Sequence, residues 1–186
     1  MEVKNREPKI FIICGKARHG KDTTASYIKD IYEKQDLKVL NLSYATAIKE
    51  YAKKVSGWDG SEETKPRTLL QELGTDVVRT KIDNMFFVDR LMNDIKVYSY
   101  YFDVLTISDA RFKTEVDTPR NMFPNVVVIK IERPNFDNGL SEEQKKHKSE
   151  IDLDDYENYD YTIINDGTLE DLKIKVENLI GGLNEH

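Results

Sequence analysis

A glycine-bearing loop between a short apolar run and a helical pattern constrains this chain more than any other feature. The run from Ile10 to Cys14 has the length and β-branched content of a buried strand. It breaks at Gly15, and Gly20 and Lys21 complete the spacing G-x-x-x-x-G-K before apolar residues recur at helical intervals. A buried strand, such a loop and an amphipathic helix together predict a phosphate-binding loop.

Each part of this loop has a physical role in holding a polyphosphate. Gly15 and Gly20 permit backbone angles and close approach that a side chain would block, so consecutive N–H groups can surround phosphate oxygens. Lys21 supplies a cation, and the following helix directs the positive end of its dipole at the same anion. The hydroxyl residue usual after the lysine is replaced by Asp22, followed by Thr23. A carboxylate there is itself a good magnesium ligand.

The composition favours one acidic domain spanning residues 1–186. A chain of 186 residues can bury one sizeable core. With 28 basic and 34 acidic residues the net charge is −6, which argues against nucleic acid or a membrane surface as the main partner. The single cysteine, Cys14, excludes an intrachain disulfide. Because no apolar run resembles a signal peptide or a membrane span, we expect a cytoplasmic protein.

Five short apolar runs predict strands separated by helical patterns. These runs cover residues 10–14, 38–43, 104–108, 126–132 and 161–164. Strands that alternate with helices predict an α/β fold, a three-layer sandwich whose five-stranded parallel sheet carries helices on both faces. Ligands bind such sheets beyond the carboxyl ends of the strands. The residues predicted at that edge are Gly15, Ser43, Asp109, Arg133 and Asp166.

Apolar stripes at helical spacing predict which helical residues face the core. The expected inward residues are Ile48, Tyr51, Ala52 and Val55 in one helix, Leu69, Leu70, Leu73 and Val77 in another, and Leu169, Leu172, Val176 and Leu179 in the last. We expect Thr168 to cap the last helix and Gly181-Gly182 to end it. Residues 136–159 are highly charged and follow neither period, so they form either a solvated connector or a lid.

Cations stand at several predicted strand and helix ends, as a transfer between two phosphates requires. Lys16 and Arg18 lie in the loop, and Arg133 closes the fourth strand. Arg111 differs, because the sequence Asp-Ala-Arg directly after a buried strand puts a carboxylate and a guanidinium at the ligand edge. We therefore expect Arg111 to be functional. Asp109 is expected to hold magnesium or its water, with a helix N-cap as the alternative.

Six segments in order resemble the phage-type deoxynucleoside monophosphate kinases, a branch of the P-loop nucleoside monophosphate kinase fold. They are GKARHGKDT, RTLLQELGTDVVR, TISDARFKTE, IKIERP, HKSE and TIINDGTLEDL. The resemblance implies transfer of the γ-phosphoryl group of ATP to a deoxynucleoside monophosphate, giving dNDP and ADP, with Mg²⁺ as cofactor. It also implies an acceptor-binding helical region over residues 44–100 and a small lid over residues 134–159.

The resemblance carries residue roles onto the matching positions of this chain. The implied ATP-binding residues are Gly15, Lys16, Ala17, Arg18, His19, Gly20, Lys21, Asp22, Thr23, Thr24 and Arg133. The implied acceptor-binding residues are Arg67, Gln71, Thr75, Asp76 and Arg111. The implied magnesium ligands are Asp22, Thr23 and Asp109, and the catalytic residues are Lys21, Arg111 and Asp109. The lid would contain Lys145, Lys146, His147 and Lys148. Because side chains in such a charged segment are usually solvated, we expect these lysines at the surface and His147 exposed and not catalytic.

The acceptor and the oligomeric state stay open at the level of sequence. Phosphomevalonate kinases of the animal type share a GKD-containing loop and an HxSE-like segment, and dephospho-coenzyme A kinases share the fold. A nucleotide-binding regulatory module is a third alternative, but the chain has no N-K-x-D guanine-reading motif. An aromatic cluster indicates core packing or a homodimer contact; it comprises Tyr98, Tyr100, Tyr101 and Phe102.

Overall fold

The computed structural model describes residues 4–184 and contains one five-stranded parallel sheet. The strands are β1 Lys9–Cys14, β2 Val39–Leu42, β3 Val104–Ile107, β4 Val126–Glu132 and β5 Tyr161–Ile164. Their order is β2-β3-β1-β4-β5, and every neighbouring pair is parallel. The predicted α/β fold is thus confirmed, and each predicted strand end is correct to within one residue.

Helices cover both faces of the sheet. They are α1 Lys21–Glu33, α2 Ala45–Ser56, α3 Arg67–Gln71, α4 Phe86–Tyr98, α5 Lys113–Met122, α6 Glu142–Lys145, α7 Lys148–Ile151 and α8 Leu169–Asn184. Helix α3 continues into a π-helical segment, Glu72–Ile82. Within residues 4–184, none of the helices has the length and apolarity needed to cross a membrane.

The two faces of β1 belong to two separate hydrophobic clusters because side chains alternate along a strand. Ile10 and Ile12 pack in the cluster that contains α4 and α5. Phe11 and Ile13 pack in the cluster that contains α1 and α8. Cys14 is a buried free thiol, as its position inside the first strand predicted. The central strand is therefore enclosed on both sides, and its carboxyl end fixes the glycine loop.

Helix α8 corrects two predictions made from the sequence. Thr168 caps it as expected, because the Thr168 hydroxyl accepts a hydrogen bond from the Asp171 N–H at 3.2 Å. Leu169, however, is 68% exposed, and Ile180 is buried instead. The helix also continues through Gly181 and Gly182. A glycine does not end a helix by itself, and here the buried Ile180 holds the last turns against the sheet.

Two other predicted stripes also differ from the structure. Val55 is 67% exposed, and Trp58, beyond the turn at Gly57, is the buried residue at this end of α2. In the π-helical segment, Val78 is buried while Val77 is exposed. A π turn takes up about one residue more than an α turn, so the inward positions shift along the chain.

Candidate active site

The loop between β1 and α1 has the geometry that its glycines suggested. Gly15 has φ +147°, and a Cβ there would lie 2.5 Å from the Ile131 carbonyl oxygen of β4. Gly20, with φ +102°, precedes the first residue of α1. Both positions lie outside the range that ordinary side chains tolerate. The backbone can approach β4 this closely only with glycine at position 15.

Lys21 lies inside the loop and not on its outer surface. Its Nζ donates a hydrogen bond to the Lys16 carbonyl oxygen at 2.8 Å, and the residue is only 7% exposed. Burial, and secondly the charge of Arg111, lower the pKa of Lys21 to about 8. An anion that enters the loop would therefore stabilise the charged form of Lys21, which burial disfavours.

The other loop residues differ in accessibility. Arg18 is exposed with a left-handed backbone, and Ala17 is half-buried. The Thr24 side chain is buried, and its hydroxyl donates to the Gly20 carbonyl oxygen at 3.0 Å, so it stabilises the first turn of α1. The Asp22 carboxylate accepts a hydrogen bond from the Ser108 hydroxyl at 2.7 Å, which ties α1 to the exit of β3.

Asp109 is held by the start of α2. Its carboxylate accepts hydrogen bonds from the Ser43 hydroxyl at 2.6 Å and from the N–H groups of Tyr44 at 3.0 Å and Ala45 at 2.9 Å. It therefore caps α2, the helix after the neighbouring strand β2, with both of its oxygens. Within residues 4–184 there is no group of three or more His, Cys, Asp or Glu residues that could hold a metal alone.

Arg133 follows β4 and packs on an aromatic ring. Its guanidinium lies 3.8 Å from the centroid of the Phe136 ring. The Arg133 N–H donates to Nδ1 of His19 at 3.2 Å, and the His19 carbonyl oxygen accepts from Asn165 at 2.9 Å. Burial lowers the pKa of His19, which favours the neutral ring that this hydrogen bond needs. A cavity of about 560 Å³ opens beside Arg133 and Phe136.

Two further cavities meet at the carboxyl edge of the sheet. The loop cavity, about 310 Å³, is lined by Gly15, Lys16, Arg111 and Glu150 among others. The helix cleft, about 500 Å³, lies between α2, the π-helical segment and the exit of β3. Arg111 and Glu150 line both cavities, and the Arg111 Nη1 donates to Glu150 Oε1 at 2.8 Å. Arg111, which the sequence predicts to be functional, therefore lies where the two cavities meet.

The predicted acceptor residues divide into two groups. Gln71 and Thr75 line the helix cleft together with Arg111. Arg67 and Asp76 are exposed and do not line it. Sequence reasoning missed several charged residues that do line the cleft, namely Lys49, Lys65, Arg79, Glu115 and Glu150. Three of these residues, Arg79, Glu115 and Glu150, are the last residues of segments that carry the family resemblance. Their place in those segments was the sequence signal that could have indicated them.

The charged segment after β4 lies against the loop. Lys16 Nζ contacts both the Glu150 carbonyl oxygen and the Asp154 carboxylate. His147 is half-buried and caps α7, where its Nδ1 lies 2.8 Å from the Ser149 hydroxyl. The expected exposure of His147 was therefore wrong, because a cap draws the ring onto the helix. Lys145, Lys146 and Lys148 are exposed, as expected.

A glycine loop after the central strand and a second cleft at the same sheet edge define a P-loop kinase. The family model described as deoxynucleotide monophosphate kinase matches residues 34–176. The chain belongs to this family and is an ATP-dependent nucleotide kinase. The matched span begins after the glycine loop, so the assignment of the loop rests on its own motif and geometry.

Related proteins agree with this class. A protein of Acanthamoeba polyphaga mimivirus assigned to the same kinase class is 28% identical, with 86% of this chain and 89% of the relative covered. The deoxynucleotide monophosphate kinase of Escherichia phage RB69 is 35% identical over 61% of this chain, a match that spans 44% of the phage protein. An unliganded sugar kinase from Janibacter sp. has a TM-score of 0.57 at 14% identity and covers 94% and 95% of the two chains. At that identity the likeness concerns the fold.

Proposed function

We propose that this chain transfers the γ-phosphoryl group of ATP to a deoxynucleoside monophosphate, giving dNDP and ADP. The position of Arg111 carries this proposal, because its side chain lines both the loop cavity and the helix cleft. A transferred phosphoryl group must pass between donor and acceptor while its charge is neutralised. A guanidinium at the junction of the two cavities can contact phosphate on either side.

On the ATP side, residues Gly15 to Thr24 would hold the phosphates through backbone N–H groups and the cation of Lys21. Lys21 is already aimed into the loop by its hydrogen bond to Lys16, so little side-chain entropy is lost when phosphate binds. The adenine would lie in the cavity beside Arg133, whose guanidinium and Phe136 partner offer planar stacking surfaces.

The residues present fit a magnesium ion that accompanies ATP. Mg²⁺ commonly binds one or two protein oxygens and completes its shell with water and phosphate, which agrees with the lack of a three-carboxylate cluster in the described residues. Asp22 and Thr23 in the first turn of α1 would be the direct ligands. Asp109 would reach the ion through water, since both of its oxygens already accept hydrogen bonds. When bound, the ion would neutralise charge on the phosphates.

On the acceptor side, we assign the helix cleft to the deoxynucleoside monophosphate. Arg111 would hold its phosphate, and Gln71 and Thr75 would contact its base or sugar. Arg67 and Asp76 lie outside the cleft and stay predictions. We treat the chain as one kinase domain over residues 1–186, with an acceptor-binding region over residues 44–100. The contacts of Lys16 and Arg111 with Glu150 support a lid over residues 134–159.

An ADP-release assay with a panel of acceptors tests the reaction. The panel contains dGMP, dTMP, dCMP, dAMP, phosphomevalonate and dephospho-coenzyme A, each with ATP and Mg²⁺. We expect turnover with at least one deoxynucleotide. Turnover only with phosphomevalonate or dephospho-coenzyme A would replace the proposal with the related small-molecule kinases. Tight nucleotide binding with no turnover on any acceptor would favour the regulatory module.

The cytoplasmic location and the homodimer also stay predictions. In the aromatic cluster, Tyr98 and Phe102 pack edge-to-face with ring centroids 5.9 Å apart. Tyr100 and Tyr101 are exposed. The cluster is therefore half packed and half available to a second copy. Sedimentation analysis across a range of concentrations would determine whether a dimer forms.

A further inference from the structure

One buried carboxylate joins two parts of the helix cleft. Glu115, in the first turn of α5, is only 2% exposed. Its Oε2 accepts hydrogen bonds from the N–H of Arg111 at 2.6 Å and from that of Phe112 at 3.1 Å. Its Oε1 forms an ion pair with the Arg79 guanidinium of the π-helical segment. The chain at the exit of β3 is thereby tied to the opposite wall of the cleft.

Arg79 is held in a single arrangement. Its guanidinium lies 4.2 Å from the centroid of the Phe112 ring and 5.5 Å from that of Phe87. Its Nη1 donates to the Asn84 carbonyl oxygen at 3.3 Å. The ion pair with Glu115 fixes the remaining orientation. An arginine immobilised in this way pays little further entropy when it meets an anion in the cleft that it lines.

The surroundings of Glu115 contain charges of both signs. Arg79 faces it from the π-helical segment, while Asp109 and Arg111 lie near it at the exit of β3. Tyr44, which directly precedes α2, donates from its hydroxyl to the Glu115 carbonyl oxygen at 2.7 Å, and the Cys14 thiol of β1 is close enough to interact electrostatically with the Glu115 carboxylate. Burial raises the pKa of Glu115 to about 7, whereas Arg79 and the two N–H donors favour the charged form. A neutral side chain at position 115 would leave these buried donors underpaired.

We propose that Glu115 is a positioning residue for acceptor binding. Its carboxylate holds the main chain of Arg111 and the guanidinium of Arg79, so that both arginines face the helix cleft. This inference rests on the proposed function, because it takes that cleft as the acceptor site. Glu115 borders the cleft but is only 2% exposed, and both of its carboxylate oxygens already have partners, so we assign it no contact with the substrate. Its replacement should therefore impair use of the acceptor much more than use of ATP.

Steady-state kinetics of Glu115→Gln test this inference. Glutamine keeps the size of the side chain but pairs poorly with Arg79. We expect KM for the accepted dNMP to rise about tenfold or more, with KM for ATP changed less than about twofold. Glu170→Gln is the matched control, since Glu170 also lies in a first helix turn and pairs with a nearby base, Lys173, away from the cleft. We expect no change in that variant.

A pH series separates positioning from a merely structural role. Below about pH 7, protonation makes the wild-type Glu115 resemble glutamine. The acceptor KM of Glu115→Gln divided by that of the wild type should therefore approach one. This ratio should grow as the pH rises. Titration of the substrate phosphate does not affect the ratio, because both proteins are assayed with the same substrate. Equal losses for ATP and acceptor, or a wild-type acceptor KM in Glu115→Gln, would overturn the inference.

A second variant covers the case in which Glu115→Gln does not fold. Arg79→Lys keeps the charge but cannot form the same forked contact, and it should also raise the acceptor KM selectively. An unchanged acceptor KM in this variant would count against the inference. Failure of the proposed function is a different result, because the wild-type protein would then show no turnover with any dNMP.

Discussion

The Arg111 guanidinium donates to the Glu150 carboxylate at 2.8 Å, at the point where the loop cavity meets the helix cleft. The second oxygen of Glu150 is buried and has no hydrogen-bond partner within the described residues. The main chain of Glu150 is in turn bound by Lys16. A carboxylate thus neutralises the arginine that we assign to the acceptor phosphate, and an incoming phosphate must compete with it.

The first prediction follows from this competition. Glu150→Gln removes the negative charge, so Arg111 should become more available and KM for the dNMP should fall about threefold, as expected for a half-buried ion pair. Glu142→Gln is the control, because Glu142 pairs with Lys145 on the exposed helix α6. A rise in the acceptor KM of Glu150→Gln would show that the carboxylate orients Arg111 and does not compete for it.

The second prediction concerns Arg111 itself. Arg111→Met should lower kcat/KM for the dNMP at least about a hundredfold, because charged hydrogen bonds to the phosphate are lost. KM for ATP should change less than about threefold. Arg120→Met provides a matched control, since the Arg120 guanidinium contacts Asp160 and the Asn158 carbonyl oxygen, and none of these three residues lines either cavity. Equal losses for ATP and dNMP would contradict the assignment of Arg111 to the acceptor.

The third prediction concerns the stability of the unliganded protein. Burial lowers the pKa of Lys21 to about 8, against 10.5 ordinarily. The unfolded chain binds more protons between these values, so wild-type stability should rise as the pH increases through that interval. Lys21→Met should abolish turnover yet raise the free energy of unfolding at pH 7 by about 1–2 kcal/mol, after loss of the hydrogen bond to Lys16.

Chemical denaturation of both proteins at several pH values provides the measurement. The stability advantage of Lys21→Met should shrink between about pH 8 and pH 10.5, because the wild-type amine then loses its costly charge. If Lys21→Met is less stable than the wild type at pH 7, by an amount that does not depend on pH, then the buried charge of Lys21 does not destabilise the folded protein.

The fourth prediction compares two glycines. Gly15→Ala should destabilise the protein by about 2–4 kcal/mol, because the new Cβ would meet the Ile131 carbonyl oxygen at 2.5 Å on a backbone with φ +147°. Gly181→Ala is the control, since a Cβ there meets nothing within 4 Å inside helix α8. It should stabilise the protein by about 0.5–1 kcal/mol. Similar thermal shifts for both variants would mean that the loop does not need glycine for close approach.

The sheet and the loop could be predicted because their signals are local. The runs that became β4 and β5 have the same bounds in sequence and structure, since β-branched runs favour strands even at the edge of the sheet, where Ile163 is the buried residue of β5. The loop is defined by Gly15, Gly20 and Lys21, whose spacing needs no tertiary context. For the same reason Arg111 could be singled out, directly after a buried strand.

The remaining site residues depend on contacts between distant elements. Arg79 faces the helix cleft because of π winding, which the α-helical stripe through Leu73 and Val77 did not indicate. Glu115 is 36 residues from Arg79 in sequence, and only the packing of α5 brings them together. Asp109 was assigned to magnesium from its position after β3, and the sequence did not indicate that its carboxylate also accepts hydrogen bonds from the Ser43 hydroxyl and from the N–H groups at the start of α2. The periodicity of apolar residues along the sequence cannot predict such contacts between distant elements.

Binding of a bisubstrate molecule, in which adenosine and a deoxynucleoside are joined through five phosphates, tests the central claim most directly. Calorimetry on the wild type should show binding at least about a hundredfold tighter than that of ATP alone, because one molecule would fill the loop cavity and the helix cleft at once. Arg111→Met should remove most of that gain. Affinity no better than that of ATP, or a gain unaffected by Arg111→Met, would contradict a single transfer path through the junction at Arg111.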